Sequence, residues 1–152
     1  MSATNREPLS MDEYRAVLKK HSLKATPQRL AVHKAMLSLG HACADQIKEK
    51  LDEDGGVNFT VASIYNILAQ MSLLGVYSHR FSANNKMYFD VNTYTHMHLY
   101  DTVNNEFKDI IDEEVTDLIE SKIRNRRYRG FKVDGIDIQI ICHPSGKKTT
   151  VR

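Results

Sequence analysis

Residues 59–91, FTVASIYNILAQMSLLGVYSHRFSANNKMYFDV, change period halfway along. Up to Gly75, Val61, Ile64, Leu68 and Met71 recur at helical spacing behind Thr60, a residue that caps helices, and Gly75 can end the run. Beyond it, VYSHRF and KMYFDV are rich in β-formers, and SANN between them tolerates a tight turn. A helix leading directly into a hairpin is predicted.

Upstream, three further helices are expected. MDEYRAVLKKHSL carries Met11, Tyr14, Val17 and Leu18 at helical spacing. KATPQRLAVHKAMLSLG has Thr26 as cap, Pro27 at the first helical position and Gly40 at the end. CADQIKEKLDEDGG places Ile47 and Leu51 four residues apart before a Gly pair. Short helices followed by a two-stranded wing form the winged helix-turn-helix pattern, in which the helix before the wing enters the DNA major groove. Ser63, Tyr65, Asn66 and Gln70 then face outward from the reading helix, and Arg29 is placed to meet the DNA backbone. An ordinary exposed helix face would show the same pattern.

From residue 93 the pattern changes to THMHLYD, NEFKDI, a helix in DEEVTDLIESKIRN and a last strand in FKVDGIDIQIICH. Val115, Leu118, Ile119 and Ile123 give that helix an apolar stripe, and Val133, Ile136, Ile138 and Ile140 give the strand one or two buried faces. The fold class is therefore α+β, with a winged-helix domain over 1–91 and a small α/β domain over 92–152. The cations Lys122, Arg124, Arg126, Arg127 and Arg129 follow an acidic helix start and suit the helix dipole better than a nucleic-acid patch.

With 41% hydrophobic and 26% charged residues, the 152-residue chain describes a packed globular protein. A net charge of +2 does not by itself mark a nucleic-acid binder. No apolar run reaches bilayer length and MSATNREPLS lacks a signal-peptide centre, so a cytoplasmic protein without membrane contact is expected. The 2 cysteines, Cys43 and Cys142, make no C-x-x-C pair, so a metal site must be built from His and carboxylates.

His96 and His98 stand at i and i+2 of a strand and so share one face, offering both imidazoles to one ion. A polar strand face is the plainer reading. Asp90 closes the wing, and Asp109 lies on the strand that folds back beside His98. Such N/O donors suit iron(II), zinc or manganese better than a closed thiolate site. His41 follows Gly40 in a loop and has no meaning on its own.

LKATPQRLAVHKAML, TVASIYNILAQMSLLGV and MYFDVNTYTHMHLYD, in this order, resemble the ferric uptake regulator family of bacterial metal-responsive repressors, over about Tyr14 to Cys142. The resemblance implies a DNA-binding winged helix, a C-terminal dimerisation domain and a regulatory metal where the two meet. In the peroxide-sensing branch the ligands are three His and two Asp, and the matching positions are His41, Asp90, His96, His98 and Asp109. Together with the outward face of the reading helix, this leads to the expectation of a homodimer on a palindromic operator, no enzyme activity, and DNA contacts from Arg29, Thr60, Ser63, Tyr65 and Asn66. One divalent metal per subunit is expected, iron(II) first and zinc or manganese after it. Peroxide sensing by the same iron is the alternative, resting on Asp rather than Glu at position 109.

The chain departs from the family where most members hold a structural zinc with two C-x-x-C pairs. Asp101 and Asn104 stand at the first pair, and Cys142 in ICHPSGKK has no partner at the second. A dimer without that zinc must rely on apolar packing. Cys43 is read as a small helix-capping core residue.

Overall fold

The computed structural model describes residues 7–146 except Val57 and Ala83. The first six residues of MSATNREPLS, Ala83 of the wing turn and the last two of ICHPSGKK therefore lie outside the described residues. The chain forms two compact units, Met1–Tyr94 and Thr95–Arg152.

The first unit runs α1 (Met11–Lys20), α2 (Pro27–Leu39), β1 (His41–Ala42), α3 (Ala44–Glu53), α4 (Val61–Leu73), β2 (Ser78–Phe81) and β3 (Met87–Asp90). Each helix start is satisfied locally. Ser10 and Glu13 form a reciprocal box before α1, the Thr26 hydroxyl accepts the Arg29 N–H, and the Thr60 hydroxyl accepts the Ser63 N–H. α1 stops short of the expected Leu23. Ser22 turns into the left-handed region (φ 57), and the Leu23 N–H closes back on the Leu18 carbonyl.

The apolar stripe of α4, Ile64, Leu68 and Met71, is fully buried with Tyr14, Leu18, Val32, Met36, Ile47 and Phe89. At roughly 1.5–3 kcal/mol for each fully buried aliphatic side chain, this packing fixes the helix better than its intrinsic propensity does. The wing is a three-stranded antiparallel sheet in the order β1-β3-β2 rather than a bare hairpin. β1 was not expected, because two residues are too few to show a period. His41 is therefore a strand residue, not a loop residue as the sequence had suggested.

The second unit contains β4 (Met97–Asp101), β5 (Glu106–Ile110), α5 (Glu113–Arg124) and β6 (Ile138–Cys142). β4 is central, antiparallel to β5 and parallel to β6. The last strand is shorter than expected, since residues 131–137 form no strand. The buried faces expected along 133–140 are also largely open: Val133 and Ile140 remain 48% and 43% exposed, the neighbouring Ile141 is 57% exposed, and Leu118 on α5 is 58% exposed. Lys122 and Arg124 occupy the last turn of α5, where they complement its dipole. Arg126, Arg127 and Arg129 lie past the helix end, outside the reach of that explanation. Among the described residues no helix is long and apolar enough to cross a membrane.

Candidate functional site

In the second unit, β4 and β5 pair in a register that sets His98 directly opposite Asp109. Directly opposed residues in an antiparallel pair share a face, and His96, two residues before His98, has its ring centroid 4.2 Å from that of His98. Both imidazole Nε2 atoms lie 3.2 Å from one oxygen, Asp109 Oδ1. The His96 and His98 side chains are 2% and 1% exposed, while Asp109 keeps 25% of its side-chain surface in solvent. Behind them, Phe107 meets the His98 ring edge-on at 5.9 Å and packs on Tyr100, whose hydroxyl donates to Asn105.

Two imidazoles and a carboxylate thus bring their donor atoms within 4.8 Å of one another. The donor set is nitrogen and oxygen only, and its one carboxylate is open to solvent. This suits a divalent first-row ion that is acquired and released better than a closed thiolate site.

In the first unit, β1 and β3 set His41 directly opposite Asp90. A backbone bond from the Val91 N–H to the Gly40 carbonyl, 3.0 Å, extends that pairing. Asp90 is wholly buried: Oδ2 accepts from Arg80 Nη1 at 3.2 Å and Oδ1 accepts from the Asn92 N–H at 2.8 Å. Arg80 and Asn92 were missed in the sequence. The signal was present, because in a hairpin where Ser78 faces Asp90, Arg80 is the diagonal neighbour of Asp90, but it emerges only once the register is known.

The positions corresponding to the family's first cysteine pair form a hydrogen-bonded turn. Asp101 accepts from the Val103 and Asn104 N–H groups and from the Asn104 amide at 2.7 Å. The Asn104 amide bond, chief among these, pulls the Asp101 pKa below its ordinary value. Cys142 donates to the Tyr100 carbonyl at 3.4 Å. Cys43 is buried at the N-terminus of α3, where its N–H donates to Gln46.

On α4, Tyr65 is 42% exposed and Asn66 is exposed, while Thr60 and Ser63 are joined hydroxyl to hydroxyl at 2.9 Å. Arg29 is half-buried and donates to the Lys24 carbonyl and, at 3.3 Å, to Gln70 on α4. In this state Arg29 and Gln70 tie α2 to α4.

The ferric uptake regulator family model matches residues 20–141, and the chain belongs to that family. It is 32% identical over 90 residues to the peroxide-responsive repressor PerR of Staphylococcus aureus strain Mu50, an alignment covering 59% of this chain and 60% of that protein. The chain thus spans about 60% of the length of the curated relatives it matches. Its fold is that of the Vibrio cholerae ferric uptake regulator, with a TM-score of 0.71 at 19% identity over 86% of this chain and 99% of that one. The Campylobacter jejuni peroxide stress regulator is similar at 26% identity and a TM-score of 0.56, over 87% of this chain and 96% of that one.

Proposed function

We propose that the protein is a metal-dependent, DNA-binding transcriptional repressor, with a DNA-binding domain over 1–91 and a metal-binding dimerisation domain over 92–152. The observation that carries this reading is the meeting of His96, His98 and Asp109 on β4 and β5 in a chain of this family.

His41 and Asp90, from the first domain, and His96, His98 and Asp109, from the second, would together hold one divalent ion per subunit. Iron(II) is the first choice, with manganese and zinc as the other ions such donors accept. The bound ion supplies positive charge shared by ligands from both domains. By linkage, ligands drawn from two domains favour the one arrangement that satisfies them all. In that arrangement the α4 helices of a homodimer read a palindromic operator, with Ser63, Tyr65 and Asn66 toward the bases and Thr60 and Arg29 toward phosphate. Arg29 must then give up its bond to Gln70. The exposed Leu118, Ile140 and Ile141 would supply apolar surface for the dimer, in a chain that lacks the two C-x-x-C pairs of a thiolate zinc site.

The second reading is peroxide sensing through bound iron. It is favoured by Asp at position 109 and by the 32% identity to a peroxide-responsive repressor. Iron-loaded protein treated with hydrogen peroxide and analysed by peptide mass spectrometry separates the two. Gain of one oxygen atom by His41, His96 or His98 supports peroxide sensing, and unmodified histidines with intact operator binding support metal sensing. Metal titration of the wild type against His98→Ala tests the shared claim: one ion per chain is expected for the wild type, lost in the variant.

A further inference from the structure

The carboxylate of Asp90 already has a cation beside it. Arg80 reaches across the hairpin from β2 to place Nη1 3.2 Å from Asp90 Oδ2, with side-chain exposures of 6% for Arg80 and 0% for Asp90. The other oxygen, Oδ1, accepts the Asn92 N–H. We propose that Arg80 is a built-in cationic competitor that sets the metal affinity of the site low. The proposal rests on the reading of Asp90 as a metal ligand.

A buried carboxylate is costly unless a positive charge compensates it, and in the metal-free chain Arg80 is a compensating charge. A carboxylate oxygen has a second lone pair, so the hydrogen bonds from Arg80 and Asn92 do not block ligation. What they change is the electrostatic balance. A guanidinium cannot shed its proton in a protein, so it stays positive when a divalent ion arrives. If Arg80 stays, the ion binds against a buried like charge. If Arg80 withdraws, its buried ion pair is broken first. Both routes weaken metal binding, and neither requires Arg80 to touch the metal. A regulatory site has to empty as well as fill, and an internal cation on the wing allows that without removing a ligand.

The test is manganese(II) affinity, measured by competition with a coloured chelator at fixed pH and salt, for the wild type, Arg80→Gln and Arg80→Lys. Arg80→Gln keeps a hydrogen-bond donor and removes the charge, whereas Arg80→Lys keeps the charge. Arg80→Gln is expected to bind manganese about tenfold or more tightly than the wild type, and Arg80→Lys to stay within about threefold of it, because the repulsion depends on charge. Equal or weaker binding by Arg80→Gln overturns the proposal while leaving the metal site intact. A wild type that binds no manganese, or an Asp90→Asn variant that binds it as tightly as the wild type, overturns the ligand reading and this proposal with it. Should Arg80→Gln fail to fold with Asp90 uncompensated, manganese affinity is compared between Asp90→Asn and the double variant Arg80→Gln/Asp90→Asn, in which the Arg80–Asp90 pair leaves no unpaired buried charge. Tighter binding by the double variant supports the proposal, and equal or weaker binding overturns it.

Discussion

Tyr77→Phe removes one oxygen atom from the core of the first unit, and its cost can be worked out from the bonds that atom makes. His33 on α2 is fully buried, with Nε2 2.8 Å from the Leu9 carbonyl and Nδ1 2.7 Å from the Tyr77 hydroxyl. A carbonyl can only accept, so Nε2 carries the proton, Nδ1 is the acceptor, and the Tyr77 hydroxyl donates to it. Tyr14 stacks on the same ring at 4.1 Å, which occupies its face and leaves the in-plane bond to Tyr77 without a substitute. The variant therefore leaves a buried acceptor unpaired, which costs about 1–3 kcal/mol. For a unit of this size that lowers Tm by about 4–8 °C per kcal/mol lost. Urea unfolding followed by circular dichroism should show a lower midpoint with an unchanged slope. In a His33→Leu background the same substitution should be neutral or stabilising, because the buried Tyr77 hydroxyl has there lost its acceptor. A Tyr77→Phe protein within about 0.5 kcal/mol of the wild type would refute this account of the core.

The same histidine gives a pH dependence. Burial pushes the His33 pKa below its ordinary 6.5, opposed by the bond to Leu9, so the unfolded chain takes up the proton first. Stability is then full above about pH 6.5 and falls at up to about 1.4 kcal/mol per pH unit as pH drops toward the folded value. Urea midpoints across that window should decline more steeply for the wild type than for His33→Gln. Thr60→Ala removes the α4 cap and should destabilise the first unit by about 1 kcal/mol, read from the same unfolding curves. Leu118→Glu, at a 58% exposed position, should leave the circular dichroism of the chain unchanged and shift sedimentation from dimer to monomer. A dimer that survives this change would exclude α5 from the interface.

The helices of the first unit were legible because their ends carry explicit chemistry. Thr26, Pro27 and Gly40 bound α2, and Thr60 caps α4, as their side chains and backbone preferences dictate. β1 was not legible, since two residues hold no period and pairing with β3 is a tertiary contact. The i, i+2 spacing of His96 and His98 announced a shared face, and Asp109 was legible as soon as β5 was folded back on β4. Arg80 was hidden because the turn length, not the local pattern, decides its neighbour. The exposed Ile140 and Ile141 show the limit of reading apolar residues in a strand as buried, since the same pattern occurs on faces that the fold leaves in solvent.

The most direct test of the central claim is affinity for a palindromic operator at fixed salt, with and without iron(II) under anaerobic conditions, for the wild type and His96→Ala. Metal should tighten binding by the wild type severalfold or more and leave His96→Ala at its metal-free level. Equal operator affinity in all four conditions would contradict a regulatory metal site.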